Sequence, residues 1–123
     1  EAGRAALADG SIDLILGIPA PAGPFLQRTL MAEDFVVLAR QAATIAQQAP
    51  RPHTLVVVGG DTLLALCHAL GARGLRSGTP LARSGWGCAC LVGGAWDGVV
   101  CHSRSGAFGP ESDLLEVVAQ LRG

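Results

Sequence analysis

The stretch Val58-Gly59-Gly60-Asp61-Thr62 puts two adjacent glycines between a β-branched run and a helical pattern. Glycines at such a turn remove side chains where the chain reverses and let another group come close to bare backbone. The first N–H groups of the following helix have no internal partner, and the positive end of the helix dipole stands behind them. A phosphate is the ligand this geometry favours. Thr62 adds a hydroxyl, and Asp61 either caps the helix or faces a Mg²⁺ carried in by a nucleotide. The plain alternative is a tight strand-to-helix turn with Asp61 as N-cap.

A second glycine-containing stretch, Ser103-Arg104-Ser105-Gly106-Ala107-Phe108-Gly109, also follows an apolar run and precedes a helical pattern. Loops at the carboxyl ends of strands in an open sheet share one crevice, where ligands bind in such folds. The two loops are therefore expected at one sheet edge, with Arg104 able to grip a phosphate bidentately. The alternative for Arg104 is a solvated surface side chain.

Other chemistry is thin. Gly85-Trp86-Gly87 starts a dinucleotide-like pattern, but no strand precedes it and Cys90 breaks it. Trp86 is expected to pack beneath its loop rather than stack on a base. His53, His68 and His102 match no metal spacing, and no Ser-His-Asp or Cys-His set can be proposed, so no catalytic or metal-ligating residue is named. Cys88-Ala89-Cys90 is too tight for a redox or zinc pair, and with Cys67 and Cys101 it reads as small apolar packing in a reducing, cytoplasmic setting. All nine basic residues are Arg, which removes mechanisms needing a P-loop or Schiff-base Lys. The net charge of −1 suggests no nucleic-acid cradle, and no apolar run reaches a membrane-spanning length.

The elements that position these residues follow from periodicity. The 123 residues are one domain's worth of chain, 50% hydrophobic and 15% charged, enough for an ordinary core. With no initiator Met and no secretory pattern, the chain reads as an excised piece of something longer. Glu1 to Ala8 reads as a short helix stopped by Gly10, and Ile12–Ile18 as a strand covered on both faces. Pro19 to Pro24 is a linker. Glu33 to Gln48 carries Phe35, Leu38, Ala39, Ala42 and Ala46 at helical spacing. Leu55-Val-Val-Val58 is the clearest strand, and from Thr62 a helix with Leu63, Leu66, Cys67 and Leu70 in register runs to a stop at Gly71. Arg73 to Gly87 reads as loop. Cys90–Val92 and Val99–Cys101 flank Trp96-Asp97-Gly98, a hairpin signal. Pro110 opens a last helix with Leu114, Val117, Val118 and Leu121 on one face. The layout predicts an α/β fold: a mostly parallel sheet with flanking helices and one antiparallel hairpin strand, in three layers.

The run Leu55-Val-Val-Val-Gly-Gly-Asp-Thr-Leu-Leu-Ala-Leu66, followed at a distance by Ser103-Arg-Ser-Gly-Ala-Phe-Gly109, resembles the carboxyl-terminal half of the four-carbon acid sugar kinases. These are the 3-oxo-tetronate and D-threonate/D-erythronate kinases, long catalogued as a domain of unknown function. The resemblance covers roughly Glu33 to Leu121. It implies a two-domain kinase whose carboxyl-terminal domain binds ATP with Mg²⁺, while an amino-terminal domain binds the acid sugar and supplies most catalytic groups. Carried over, Gly59, Gly60, Asp61 and Thr62 hold the nucleotide phosphates, with Arg104, Ser105 and Gly106 of the second motif beside them. The family Lys is Arg104 here, and the family Asn or Gly is Ala107. The same resemblance leaves room for a homodimer. A non-catalytic nucleotide-binding or vestigial module is the alternative reading, and a plain structural α/β domain the third.

Overall fold

Leu55, Val56, Val57 and Val58 are each 0% exposed, which places their strand at the centre of a sheet covered on both faces. In a computed structural model, residues 12–18, 26–31, 35–80, 85–104 and 111–122 are described. The chain order is β1 (Ile12–Ile18), β2 (Leu26–Met31), α1 (Phe35–Gln48), β3 (Thr54–Val58), α2 (Gly60–Leu70), β4 (Gly74–Ser77), β5 (Gly87–Val92), β6 (Val100–Arg104) and α3 (Glu111–Arg122). The expected helix over Glu1 to Ala8 and the Pro19 to Pro24 linker lie outside the described residues.

The α/β class and the three layers are as the sequence predicts. The six strands lie in the order β2-β1-β3-β6-β5-β4. On one face, Leu55 and Val57 pack with Leu38, Ala42 and Ile45 of α1 and Ala65, Leu66 and Leu70 of α2. On the other, Val56 and Val58 pack with Trp86 and with Leu114 and Val117 of α3. The alternation along β3 is the ordinary two-residue period of a strand, here apolar on both sides.

Strand directions refine the expectation. β2, β3, β6 and β4 point one way; β1 and β5 oppose them. The predominant direction is therefore the predicted one, but two strands run against it rather than one, and β3–β6 is the parallel neighbour pair. The other four pairings are antiparallel.

Two further differences have local causes. The segment read as loop from Arg73 to Gly87 contains β4 and the first residue of β5. All four residues of β4 are exposed, so no apolar alternation marks it, and backbone pairing to β5 holds it. In α1 the buried stripe is Leu38, Ala42 and Ile45, whereas Phe35 is 40% exposed. The α2 stop is as predicted. Gly71 adopts φ 74°, its N–H donates to the His68 carbonyl at 3.2 Å, and the Ala72 N–H donates to the Cys67 carbonyl at 2.9 Å. This pairing satisfies last-turn carbonyls with a left-handed residue that glycine adopts without strain. The hairpin at Asp97-Gly98 also forms: Asp97 Oδ1 accepts from the Gly93 N–H at 2.6 Å, and Trp96 turns inward to 4% exposure.

Candidate functional site at the carboxyl ends of β3 and β6

In the parallel β3–β6 register, Val58 stands opposite Arg104. One residue further, the Gly59 N–H donates to the Arg104 carbonyl at 2.8 Å. The carboxyl ends of the two strands that carry the two motifs are thus tied together at one sheet edge. Ser105 and Gly106 lie outside the described residues; Arg104, immediately before them, ends β6 at this edge.

Gly59 is the helix N-cap, with φ 116° and ψ 119°. A side chain would be strained there, so this position requires glycine. Asp61 does not cap the helix, as the sequence allowed; it lies exposed in the first turn, two residues further on. The first helical bond runs from the Leu63 N–H to the Gly59 carbonyl at 3.1 Å. The amides of Gly60 and Asp61 precede it, exposed and with no acceptor within the helix. Gly60 is exposed, and a Cβ built on it meets nothing within 4 Å. Bare backbone with the positive helix end behind it therefore faces open space.

Two motif side chains are turned away from that space. Thr62 is 0% exposed, so its hydroxyl belongs to the interior. Arg104 shares the face of Val58, opposite to the face on which α2 packs. The residue is 4% exposed, and its guanidinium lies over the Trp86 ring, 5.5 Å from the centroid. Burial lowers the Arg104 pKa, and the nearby Asp113 opposes that shift. Trp86 packs as expected, and its Nε1 donates to Asp113 Oδ2 at 2.6 Å. Arg104 contributes its backbone carbonyl to the edge; its side chain joins Trp86 and Asp113 beneath α3.

The described thiols are free, and three of them, Cys67, Cys88 and Cys101, are poorly suited to nucleophilic work. Burial raises Cys67 and Cys101, and burial with the neighbouring Cys90 raises Cys88, so the thiolate is scarce near neutral pH. No group of three or more metal-ligating side chains forms among the described residues.

His102 is 5% exposed, its Nδ1 has no hydrogen-bond partner among the described residues, and burial lowers its pKa. The folded chain thus binds a proton on His102 less readily than the unfolded chain does. Stability from this residue is complete above the unfolded pKa of about 6.5 and falls as pH drops through it towards the folded value. We expect His102→Leu to flatten the melting temperature between about pH 7.5 and about pH 5.5 relative to the parent chain. Equal pH slopes in the two proteins would contradict this.

Sequence reasoning missed one feature of the site. Residues that bury α2 are Thr62, Ala65, Leu66 and Leu70; Leu63 and Cys67, expected in that stripe, are half-buried, and Leu64 is 49% exposed. Together with His68 and the Ala72–Leu75 segment they line an open groove of about 390 Å³ that begins at Gly60. The helical period is right but the stripe is rotated, and the far wall is β4, which the pattern does not mark.

No family model matches the chain, and no curated protein does. Among the solved structures similar to it are two of a domain of unknown function (DUF1537) from Bordetella bronchiseptica, crystallised with bound citrate as a domain-swapped dimer in two space groups. One superposes with a TM-score of 0.62 and 25% identity over 75% of this chain and 24% of its own. The other gives 0.63 and 23% over 82% and 28%. The chain spans about a quarter of the length of those solved chains. No helix among the described residues is long and apolar enough to cross a membrane.

Proposed function

We propose that this chain is the ATP-binding domain of a kinase that phosphorylates a four-carbon acid sugar. The observation that carries the reading is the glycine turn between β3 and α2: Gly59 fixes the turn, and Gly60 leaves the first amides of α2 open at the edge where β6 also ends. Similarity to the DUF1537 structures supports it, because the acid sugar kinases that the sequence resembles were catalogued as such a domain.

On this reading the amides of Gly60 and Asp61 at the exposed start of α2 receive phosphate oxygens, with Ser105 and Gly106 contributing from the second motif. Mg²⁺ is commonly held by one or two carboxylates plus substrate phosphates. The exposed Asp61 carboxylate in the first turn of α2 fits that donor set, and the ion would neutralise phosphate charge there. The chain's own part is positioning and charge stabilisation of the transferred phosphoryl group. The acid sugar and the base that takes its hydroxyl proton belong to an amino-terminal domain. The citrate of the Bordetella protein is a multiply charged acid, and its dimeric state extends to this chain the proposal of a homodimer. Four unpaired cysteines accord with a cytoplasmic setting.

The burial of Thr62 and Arg104 favours a second reading, a nucleotide-binding module without turnover. Calorimetric titration with Mg-ATP and an assay with threonate and erythronate test both. We expect weak binding and no phosphoryl transfer by this chain alone, since half of a bipartite site loses the proximity gain. Transfer by the isolated chain would overturn that division of labour, and absence of binding at millimolar Mg-ATP would leave a structural domain.

A further inference from the structure

Cys88 and Cys90 carry a chemistry that the phosphate reading leaves unused. Both lie on β5, two residues apart, so both side chains leave the same face of the sheet. The register identifies that face. Cys88 stands opposite His102, His102 stands opposite Val56, and Val56 packs with Leu114 and Val117 of α3. The helix that follows the glycine turn packs on the other face. Both thiols are free and half-buried, so neither is sealed in the core. Gly78 donates its N–H to the Cys88 carbonyl at 3.1 Å and keeps room for the sulfur, since a Cβ there would stand 2.7 Å from Cys88 Sγ.

Same-face neighbours on a strand are about 6.6 Å apart, whereas a disulfide needs its Cβ atoms within about 3.5–4.5 Å. The two thiols are too far apart to bond to each other without bending β5. Two sulfurs on opposite sides of one ion, at about 2.3 Å each, stand about 4.6 Å apart, a span that two cysteine side chains leaning inward cover. Thiolates select soft ions such as Cu(I), and a closed-shell monovalent ion is content with two ligands in line. A structural Zn²⁺ asks for four, and no group of three or more ligating side chains forms among the described residues.

The surroundings suit a soft cation. His102 is 5% exposed and its Nδ1 has no partner among the described residues, so a buried imidazole, a group that copper accepts, stands beside Cys88. Burial lowers the His102 pKa, so at neutral pH this residue sets no positive charge against an incoming cation. The complex of two thiolates with one Cu(I) carries one net negative charge. Arg76 of β4, exposed and opposite Cys90, offsets it.

We infer that Cys88 and Cys90 form a two-sulfur site for a soft monovalent cation, Cu(I), on the α3 face of the sheet, with His102 as its side wall. Binding forms two Cu–S bonds and breaks two S–H bonds; both protons leave to solvent and the copper stays Cu(I). The assignment uses neither the glycine turn nor the second motif, so it stands apart from the nucleotide reading.

The test lets the full chain, reduced and free of oxygen, compete with a chromogenic Cu(I) chelator whose colour reports the copper left behind. We expect the parent to take one Cu(I) per chain, and Cys88→Ser and Cys90→Ser to retain it roughly a hundredfold less tightly, each having lost one of two ligands. Cys67→Ser, which removes a thiol on the other face, stays within a few-fold of the parent. Serine is close to cysteine in volume, and circular dichroism checks the fold. Cys90→Ala, which adds no hydroxyl at a half-buried position, repeats the arm. Zn²⁺ offered at the same concentration is expected to bind far more weakly. If the parent leaves all the copper with the chelator, the inference fails. It fails equally if Cys67→Ser releases the ion while Cys90→Ser keeps it, because the ion then sits among the core thiols. Zn²⁺ held as tightly as Cu(I), and lost in the same variants, overturns the two-sulfur assignment.

Discussion

Gly60→Val is expected to abolish Mg-ATP binding while leaving the chain folded. A Cβ at Gly60 meets nothing within 4 Å, and the residue sits inside α2, where valine is no worse a helix former than glycine. The fold therefore has no reason to resist the change. A phosphate oxygen has to reach an amide nitrogen to about 2.7–3.2 Å, and an isopropyl group above the first amides blocks that approach. Loss of two charge-assisted hydrogen bonds at about 1.5–3 kcal/mol each weakens binding by roughly a hundredfold or more. Gly59→Val is the contrasting change. At φ 116° a side chain costs about 1–3 kcal/mol, so stability and binding fall together there. Calorimetric titration of Gly60→Val, with circular dichroism as the fold control, decides. Unchanged affinity in a folded variant would reduce the glycine turn to a connection and remove the main support of the kinase reading.

What could be read from sequence and what could not divides along one physical line. β3, the hairpin at Asp97-Gly98 and the Gly71 stop were legible because side chains specify them: a buried β-branched run, a turn dipeptide and a left-handed cap. β2 and β4 were not. They sit at the two edges of the sheet, and in β4 every position is exposed, so backbone pairing carries the strand and leaves no pattern. The sheet directions follow from those omissions. The strand–helix–strand rule predicts parallel strands on either side of α1. It holds, but the strand before α1 is β2, not β1, and the β1–β2 hairpin reverses direction. β1 then lies antiparallel beside β3. The same happens past α2, where β4 runs with β3 and β5 turns back against both.

At the site, the glycines were legible and the neighbouring side chains were not. The turn geometry is a backbone property that Gly59 and Gly60 announce by lacking side chains. Whether Thr62 and Arg104 face a ligand or the interior depends on which sheet face each occupies and on what covers it. The period of a strand gives alternation but not the identity of the covering layer. For Arg104 that layer is α3 with Trp86, elements far apart in sequence that the register alone brings together.

Arg104→Ala is accordingly expected to act on stability, not on nucleotide affinity. Arg104 is 4% exposed; its guanidinium lies over Trp86 and stands near Asp113, which itself accepts from the Trp86 indole. A desolvated cation over an indole ring is worth about 2 kcal/mol, and the aliphatic stem adds packing that alanine loses. Removal also deprives Asp113 of a compensating charge, which ties α3 to the sheet through the same cluster. Together these effects predict a loss of about 2–3 kcal/mol. Lysine, the residue at the matching place in the acid sugar kinase motif, keeps the charge but not the planar stacking, so Arg104→Lys falls between parent and alanine. Urea denaturation of the three proteins, with Mg-ATP titration under conditions where each is folded, separates the roles. Full stability in Arg104→Ala together with a lost ATP affinity would show that the guanidinium leaves Trp86 to reach phosphate. Lowered stability with affinity retained fixes it as the support on which the β3–β6 edge and α3 are held in register.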